Sequence, residues 1–254
     1  MRMSKKVLGT VAALGALWSV GVAWADDPAR EIDTCQSLSV GERSSFLLVK
    51  DLFSQGQDCL VLNTSNIQIN LNGFAINGAG TGKGITADSS IHGVTIRNGT
   101  VRGFAVGVSL GGNGNLVQDI HVENNTDTGM FLGAGSIADH VVVQGNSQNG
   151  AILSTANTFK NSSVRANGNS STSIGLSAGP GSTVTGNTIW KNTGTGLFGS
   201  TGGTVIGNTV TDTLGTGMSV ICPSNLQQNT AVSNTSINLT LAGDGCLLVG
   251  NVAP

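Results

Sequence analysis

Along most of the chain, an apolar residue, any residue and a second apolar residue lead into a short corner rich in Asn and Gly, and this unit keeps returning. It reads Val94-Thr95-Ile96-Arg97-Asn98-Gly99, then Ile120-His121-Val122-Glu123-Asn124-Asn125, then Val141-Val142-Val143-Gln144-Gly145-Asn146. It continues through Val164, Asn187-Thr188-Ile189-Trp190-Lys191-Asn192, Val210 and Val232, with an earlier member at Ile69. The central residues Ile96, Val122, Val143, Val164, Ile189, Val210 and Val232 are 26, 21, 21, 25, 21 and 22 positions apart. A second recurring pair, Gly then apolar, marks another strand in each unit: Gly84-Ile85, Gly107-Val108, Gly129-Met130, Gly175-Leu176, Gly196-Leu197 and Gly217-Met218. Period-2 alternation without a helical pattern predicts two or three short strands per repeat. Strands this short cannot bury a face alone. Stacked about 4.8 Å apart on the next repeat, they pair in parallel and enclose one apolar column. The expected architecture is therefore all-β, a single-stranded parallel β-helix, with the seven aliphatic anchors in one wall.

Two consequences follow from vertical stacking. Asn125, Asn146, Asn167 and Asn192 share one phase, and Asn suits a sharp corner because it tolerates left-handed backbone and bonds its own main chain. They are expected to form a structural ladder of amides rather than a catalytic set. Cys35 and Cys59, and likewise Cys222 and Cys246, are each 24 residues apart, about one turn. Residues one turn apart lie within the Cα separation of about 4.4 to 6.8 Å that a disulfide needs. One staple is expected near each end, where a solenoid frays.

Residues 1–25 follow a different pattern. Arg2, Lys5 and Lys6 precede a mostly apolar stretch from Val7 to Val22, and Ala23-Trp24-Ala25 stands before Asp26-Asp27. This reads as a secretory signal peptide cut after Ala25. An uncleaved anchor is the competing reading, since Val7 to Ala25 is just long enough to span a bilayer. Residues 26–66 lack the clean corner motif and are expected to form an N-terminal cap and irregular first turn, with the β-helix over 67–254. Export, to the periplasm, cell surface or medium, would favour disulfides. Composition agrees with a solenoid more than with an ordinary globule: 38 Gly, no Tyr, and 10% charged residues against about 25% in typical domains. A regular aliphatic period excludes a disordered Gly/Ser tract. A net charge of −2 provides no field for nucleic acid or an anionic membrane.

The chain resembles bacterial secreted proteins of the right-handed parallel β-helix, pectin-lyase-like group. The residues that carry the resemblance are Asn66-Ile67-Gln68-Ile69-Asn70-Leu71-Asn72-Gly73-Phe74, Val94 to Val101, and the Gly-Asn-Thr-Ile/Val turns at Gly186 and Gly207. Right-handedness is what the resemblance implies. Activity is not, because the fold hosts lyases, hydrolases, epimerases, adhesins and binding proteins.

The clustered aspartates, Gly-His-Gly and Arg-Ile-Lys of polygalacturonase-like members do not occur here. Paired carboxyls about 5 to 10 Å apart, as glycoside hydrolysis requires, are not offered. A lyase needs a cation to neutralise the uronate and a base for the C5 proton. Lone candidates exist. If the anchors stack, one outward column reads Arg97, Glu123, Gln144, Arg165, Trp190, Thr211 and Ser233, and its neighbour reads Thr95, His121, Val142, Ser163, Thr188, Thr209 and Ala231. Alternate residues on a strand share a face, so Arg97, His121, Glu123, Arg165 and Trp190 would line a strip about 20 Å long at about 4.8 Å per rung. An aromatic plate beside charged hydrogen-bonding groups suits a sugar or uronate chain. The blander alternative is a solvated face with a weak Arg97–Glu123 ion pair.

Gly78-Ala79-Gly80-Thr81-Gly82-Lys83-Gly84 approaches a phosphate loop, but Asn77 stands where the first Gly is required and Gly84 replaces Ser or Thr. His92, His121 and His140 do not share a column, so no metal site and no cofactor are expected. The function expected is carbohydrate binding, or a rigid cell-surface or periplasmic module, with a polysaccharide or surface glycan as partner. The alternative is a lyase or epimerase acting on a uronate-containing polysaccharide through Arg97, His121, Glu123 or Arg165.

Overall fold

The computed structural model describes residues 28–39, 41 and 43–254. The expected signal peptide, residues 1–25, lies outside them. Among the described residues there is no helix, and every strand pairing is parallel within two sheets of 18 and 10 strands. The chain winds as a right-handed parallel β-solenoid of about 10 turns.

Each turn has three faces. The first and second share the 18-stranded sheet, which bends between them, as where Ile137–Asp139 leads into Val142–Gln144. The third face is the 10-stranded sheet, represented in the same turn by Ala151–Leu153. Residues 30–62, where a cap was expected, carry strands that join these sheets: Arg30–Ile32 pairs with Ser45–Leu48, and Gln36–Leu38 with Leu60–Leu62. The winding therefore begins well before residue 67.

Three faces per turn also re-sort the anchors. Val122, Val143, Val164, Ile189 and Val210 stack on the second face. Ile96 does not belong with them, since it pairs with Ile69 and Val117 on the first face, and the residue beneath Val122 is Val101. Val232 is displaced by one position, and Ala231 takes the place beside Val210. The reason is that the first and second faces carry the same apolar-any-apolar signature, separated by a five-residue step. The 26-residue interval from Ile96 to Val122 is one 21-residue turn plus that step. The walls themselves are dry: Ile96, Val101, Val122, Val143, Val164, Ile189 and Val210 are all 0% exposed.

The corners explain why Asn and Gly recur. Most bends contain a residue with positive φ, for example His140 (52°), Gly145 (65°) and Ala156 (56°) in one turn. The following residue points inward, and where it is polar it bonds up the stack. At the second corner the Asn125 amide hydrogen-bonds to Asn146 Oδ1 (2.8 Å), Asn146 to Asn167 (2.8 Å) and Asn167 to Asn192 (3.0 Å). The backbone N–H groups of Asn125, Asn146 and Asn167 donate to the same oxygens. Two further ladders run at the other corners, through Asn187, Asn208, Asn229 and Asn251, and through Asn115, Ser136, Asn157 and Ser182. Buried amides must be satisfied, and stacking satisfies most of them; Asn157 Nδ2 is the exception among the ladder amides, buried without a partner.

This arrangement accounts for the Gly that opens each third-face strand. A Cβ on Gly175 would lie 2.7 Å from Gly196 O and 2.8 Å from Asn192 Nδ2; on Gly129 it would lie 2.7 Å from Gly150 O and 2.6 Å from Asn146 Nδ2. The ladder occupies the space a side chain would need. Both disulfides form as the spacing predicted, Cys35–Cys59 with Cα atoms 4.4 Å apart and Cys222–Cys246 with Cα atoms 5.0 Å apart.

Candidate carbohydrate-binding face

The second face presents two outward columns. One runs Asn77, Arg102, Glu123, Gln144, Arg165, Trp190, Thr211. The other runs Thr100, His121, Val142, Ser163, Thr188, Thr209 and Thr230. Glu123, Arg165 and Trp190 are thus brought into one column with His121 on the same face, one position across. Arg97 is not brought in. It lies on the first face between Asn70 and Gln118, displaced there by the same five-residue step that separates Ile96 from Val122. The cation beside Glu123 is Arg102, with Nη1 3.6 Å from Glu123 Oε1; the ion pair expected from Arg97 is made by Arg102 instead.

The N-terminal part of this column spends its hydrogen bonds internally. Arg102 Nε donates to Asn77 Oδ1 (2.8 Å), Gln144 Nε2 to Glu123 Oε2 (2.6 Å), and Arg165 Nε to Gln144 Oε1 (2.7 Å). The C-terminal part is different. Trp190 stands outward and half-buried, its indole N–H donating to Asp212 Oδ2 (2.9 Å), while Lys191 Nζ lies 4.5 Å from the ring centroid. The indole is held from both sides, which leaves little rotamer entropy to lose on binding. Beside it runs a groove of about 470 Å³ lined by Ala166, Lys191, Asp212, Leu214, Ser233 and Thr235. Leu214 is 67% exposed within it.

Two local features single out this end. The second-corner column of positive-φ residues begins Gly103, Asn124, Gly145, then continues Ala166, Lys191, Asp212, Ser233. Left-handed backbone costs an ordinary L-residue about 1 to 2 kcal/mol, so Lys191 is displayed there against its own backbone preference. Also, the turn from Val164 to Ile189 is 25 residues where its neighbours are 21. The surplus falls between Arg165 and Ile174, and Gly194 of the next turn packs under Ser171 and Ser173 of that loop. Insertions in solenoids map to loops on one face, often the binding face. The sequence singled out Trp190 but not Lys191, Asp212 or Leu214, which the structure places around it. The available signals were the four surplus residues and the loss of Gly and Asn from one corner column.

A second polar cluster lies at the first corner. Asp139 is 2.9 Å from His140 Nδ1 and 3.3 Å from Lys160 Nζ, and accepts from Asn161 Nδ2 (3.0 Å). Burial raises the Asp139 carboxyl, but the bonds from Asn161 and Lys160 and the charges of His140 and Lys160 outweigh it and hold the group below its usual 3.8. These charges largely neutralise one another.

With the fold and this face defined, comparison places the chain. A family model described as the right handed beta helix region matches residues 106–253, more than half of the sequence, and the chain belongs to that family. Among solved structures it is similar to the enzymatically active domain of tailspike protein 2 of bacteriophage CBA120 (13% identity, TM-score 0.61, covering 81% of this chain and 40% of that one). It is also similar to the A-module of the mannuronan C-5 epimerase AlgE4 of Azotobacter vinelandii (13%, TM-score 0.51, 86% and 85%) and to the Dettilon tailspike protein (12%, TM-score 0.52, 87% and 60%). At these identities the likeness is one of fold. This chain spans less than half of the CBA120 domain it matches. No curated protein sequence matches it.

Proposed function

We propose that this protein is an exported β-helix that binds polysaccharide on its second face, with the contact centred on Trp190 and the groove beside it. The observation that carries the reading is a single indole held outward by Asp212 and Lys191, next to a groove flanked by exposed Leu214. A flat apolar ring among polar groups suits the alternating C–H and hydroxyl faces of a sugar. The outward hydroxyls of Thr188, Thr209 and Thr230 repeat at every rung alongside it, as a repeating polymer would use. Fold likeness to a mannuronan epimerase module and to tailspikes is consistent with a glycan ligand. The two disulfides and the signal-like residues 1–25 support export.

The second reading, a lyase or epimerase, is favoured by the likeness to the epimerase module alone. Its expected groups are dispersed: Arg97 faces elsewhere, and Glu123 is engaged by Arg102 and Gln144. The test is affinity electrophoresis of the purified protein in gels containing individual polysaccharides. Retardation abolished by Trp190→Ala, with the far-ultraviolet dichroism unchanged, supports binding. Formation of unsaturated uronate absorbance, lost on Glu123→Gln, would replace it with the lyase reading.

A further inference from the structure

We infer that the Trp190 site is built for an anionic sugar, one bearing a carboxylate or a sulfate ester, seated between Arg165 and Lys191. The inference rests on the glycan-binding reading and specifies the chemistry of its ligand. Its basis is an inventory of charge. Of the described cations near outward faces, Arg102 is paired with Glu123, Lys160 with Asp139, and Lys50 with Asp33. Among the described residues, Arg165 and Lys191, like Arg97 on the first face, have no carboxylate within ion-pair distance. Arg165 commits only its Nε, to Gln144 Oε1, and its two terminal nitrogens face solvent. Lys191 touches only the π face of Trp190, an interaction that leaves its three donors open.

Register places the two cations beside the same indole, on adjacent rungs. Arg165 is the rung partner of Trp190, and the Ala166 N–H donates to Trp190 O (3.0 Å), which sets Lys191 directly above Ala166. Ala166 has only a methyl group, and it lines the groove together with Lys191. Asp212, the one carboxylate in the groove, is turned toward the indole N–H and engaged there. The groove itself is lined by one cation, Lys191, and one anion, Asp212; Arg165, the rung partner of Trp190, adds a positive charge beside it. A net charge of −2 provides no field that would draw in an acidic polymer, so its recognition would rest on these local cations. A planar guanidinium reads a carboxylate or sulfate through two parallel bonds, and the ammonium supplies a point charge beside it. Trp190 would then stack the ring of the same or the adjoining sugar.

Affinity gels with polygalacturonate (carboxylate), dextran sulfate (sulfate ester) and dextran (neutral) separate the possibilities. All three are run with the wild type, Trp190→Ala, the double variant Arg165→Gln/Lys191→Gln, and Arg97→Gln as an unpaired cation away from the site. The expected result is retention by at least one acidic polymer, about tenfold weakening in the double variant, and no change in Arg97→Gln. Which acidic polymer is retained identifies carboxylate or sulfate. Equal retention of the double variant, or an equal loss in Arg97→Gln, overturns the inference. Retention of dextran alone, abolished by Trp190→Ala, overturns it while leaving glycan binding intact. No retention of any polymer sinks both.

Discussion

Removing the amide of Asn167 tests whether the buried ladder, and not only the apolar walls, holds the turns in register. Asn167 Oδ1 accepts from the Asn146 backbone N–H (3.1 Å) and from Asn146 Nδ2 (2.8 Å), while its own Nδ2 donates to Val143 O (3.0 Å) and Asn192 Oδ1 (3.0 Å). Asn167→Ala leaves the Asn146 N–H buried without an acceptor, at about 1 to 3 kcal/mol, and deletes three further bonds worth about 1 kcal/mol each. Asn146 Nδ2 retains Val122 O, which limits the loss. The expected cost is about 4 kcal/mol. The converse substitution exists in the same stack. Thr213 occupies the rung between Asn192 and Asn234, and its buried hydroxyl has no partner. Thr213→Asn would offer an acceptor to the Asn192 N–H and a donor to the carbonyl one turn back, as Asn192 does to Val164 O, a gain of about 1 to 2 kcal/mol. Urea unfolding followed by fluorescence measures both, and Trp190 is the only tryptophan among the described residues. Amide exchange at Asn146 should accelerate in Asn167→Ala. A midpoint unchanged by Asn167→Ala, or lowered by Thr213→Asn, would refute the reasoning.

Reduction of Cys222–Cys246 should release the final turn first. The 24-residue loop it closes is worth about 3 kcal/mol in chain entropy, and Leu247, Leu248 and Val252 beyond it are already about half exposed. Cys222→Ser/Cys246→Ser is expected to lose exchange protection in Leu239–Ala242 and Leu247–Val249 while Val142–Gln144 stays protected; uniform loss would contradict it. Asp139, with its carboxyl held below 3.8, contributes stability that is complete above the unfolded value and disappears as pH falls through the folded one. Wild type should therefore lose stability below pH 3.8 more steeply than Asp139→Asn, and parallel pH profiles would exclude the role.

The parts of this molecule that were legible in its sequence are those governed by vertical repetition. Cys35 over Cys59, and Asn125 beneath Asn146, Asn167 and Asn192, needed only the length of one turn. What was hidden is the division of a turn into faces. Val94-Thr95-Ile96 and Ile120-His121-Val122 look alike because both strands bury their middle residue, yet they stand on different faces. Arg97 was accordingly assigned to Glu123, which Arg102 contacts. Lys191 and Asp212 were overlooked for another reason: corner positions read as turn chemistry, and only the φ values and the groove reveal side chains displayed there at a cost.

Because the turns between Val122 and Val164 are each 21 residues, a change of length within these strands keeps the walls in register only in whole turns, whereas a corner loop such as that after Arg165 absorbs smaller insertions. Deleting residues 142–162 would bring Arg165 down one storey, onto Glu123, where Gln144 now intervenes. A shorter molecule of this kind would keep its shape and lose a free guanidinium to a new neighbour. Ligand preference could thus be altered by arithmetic on the number of storeys, with no residue at the tryptophan exchanged.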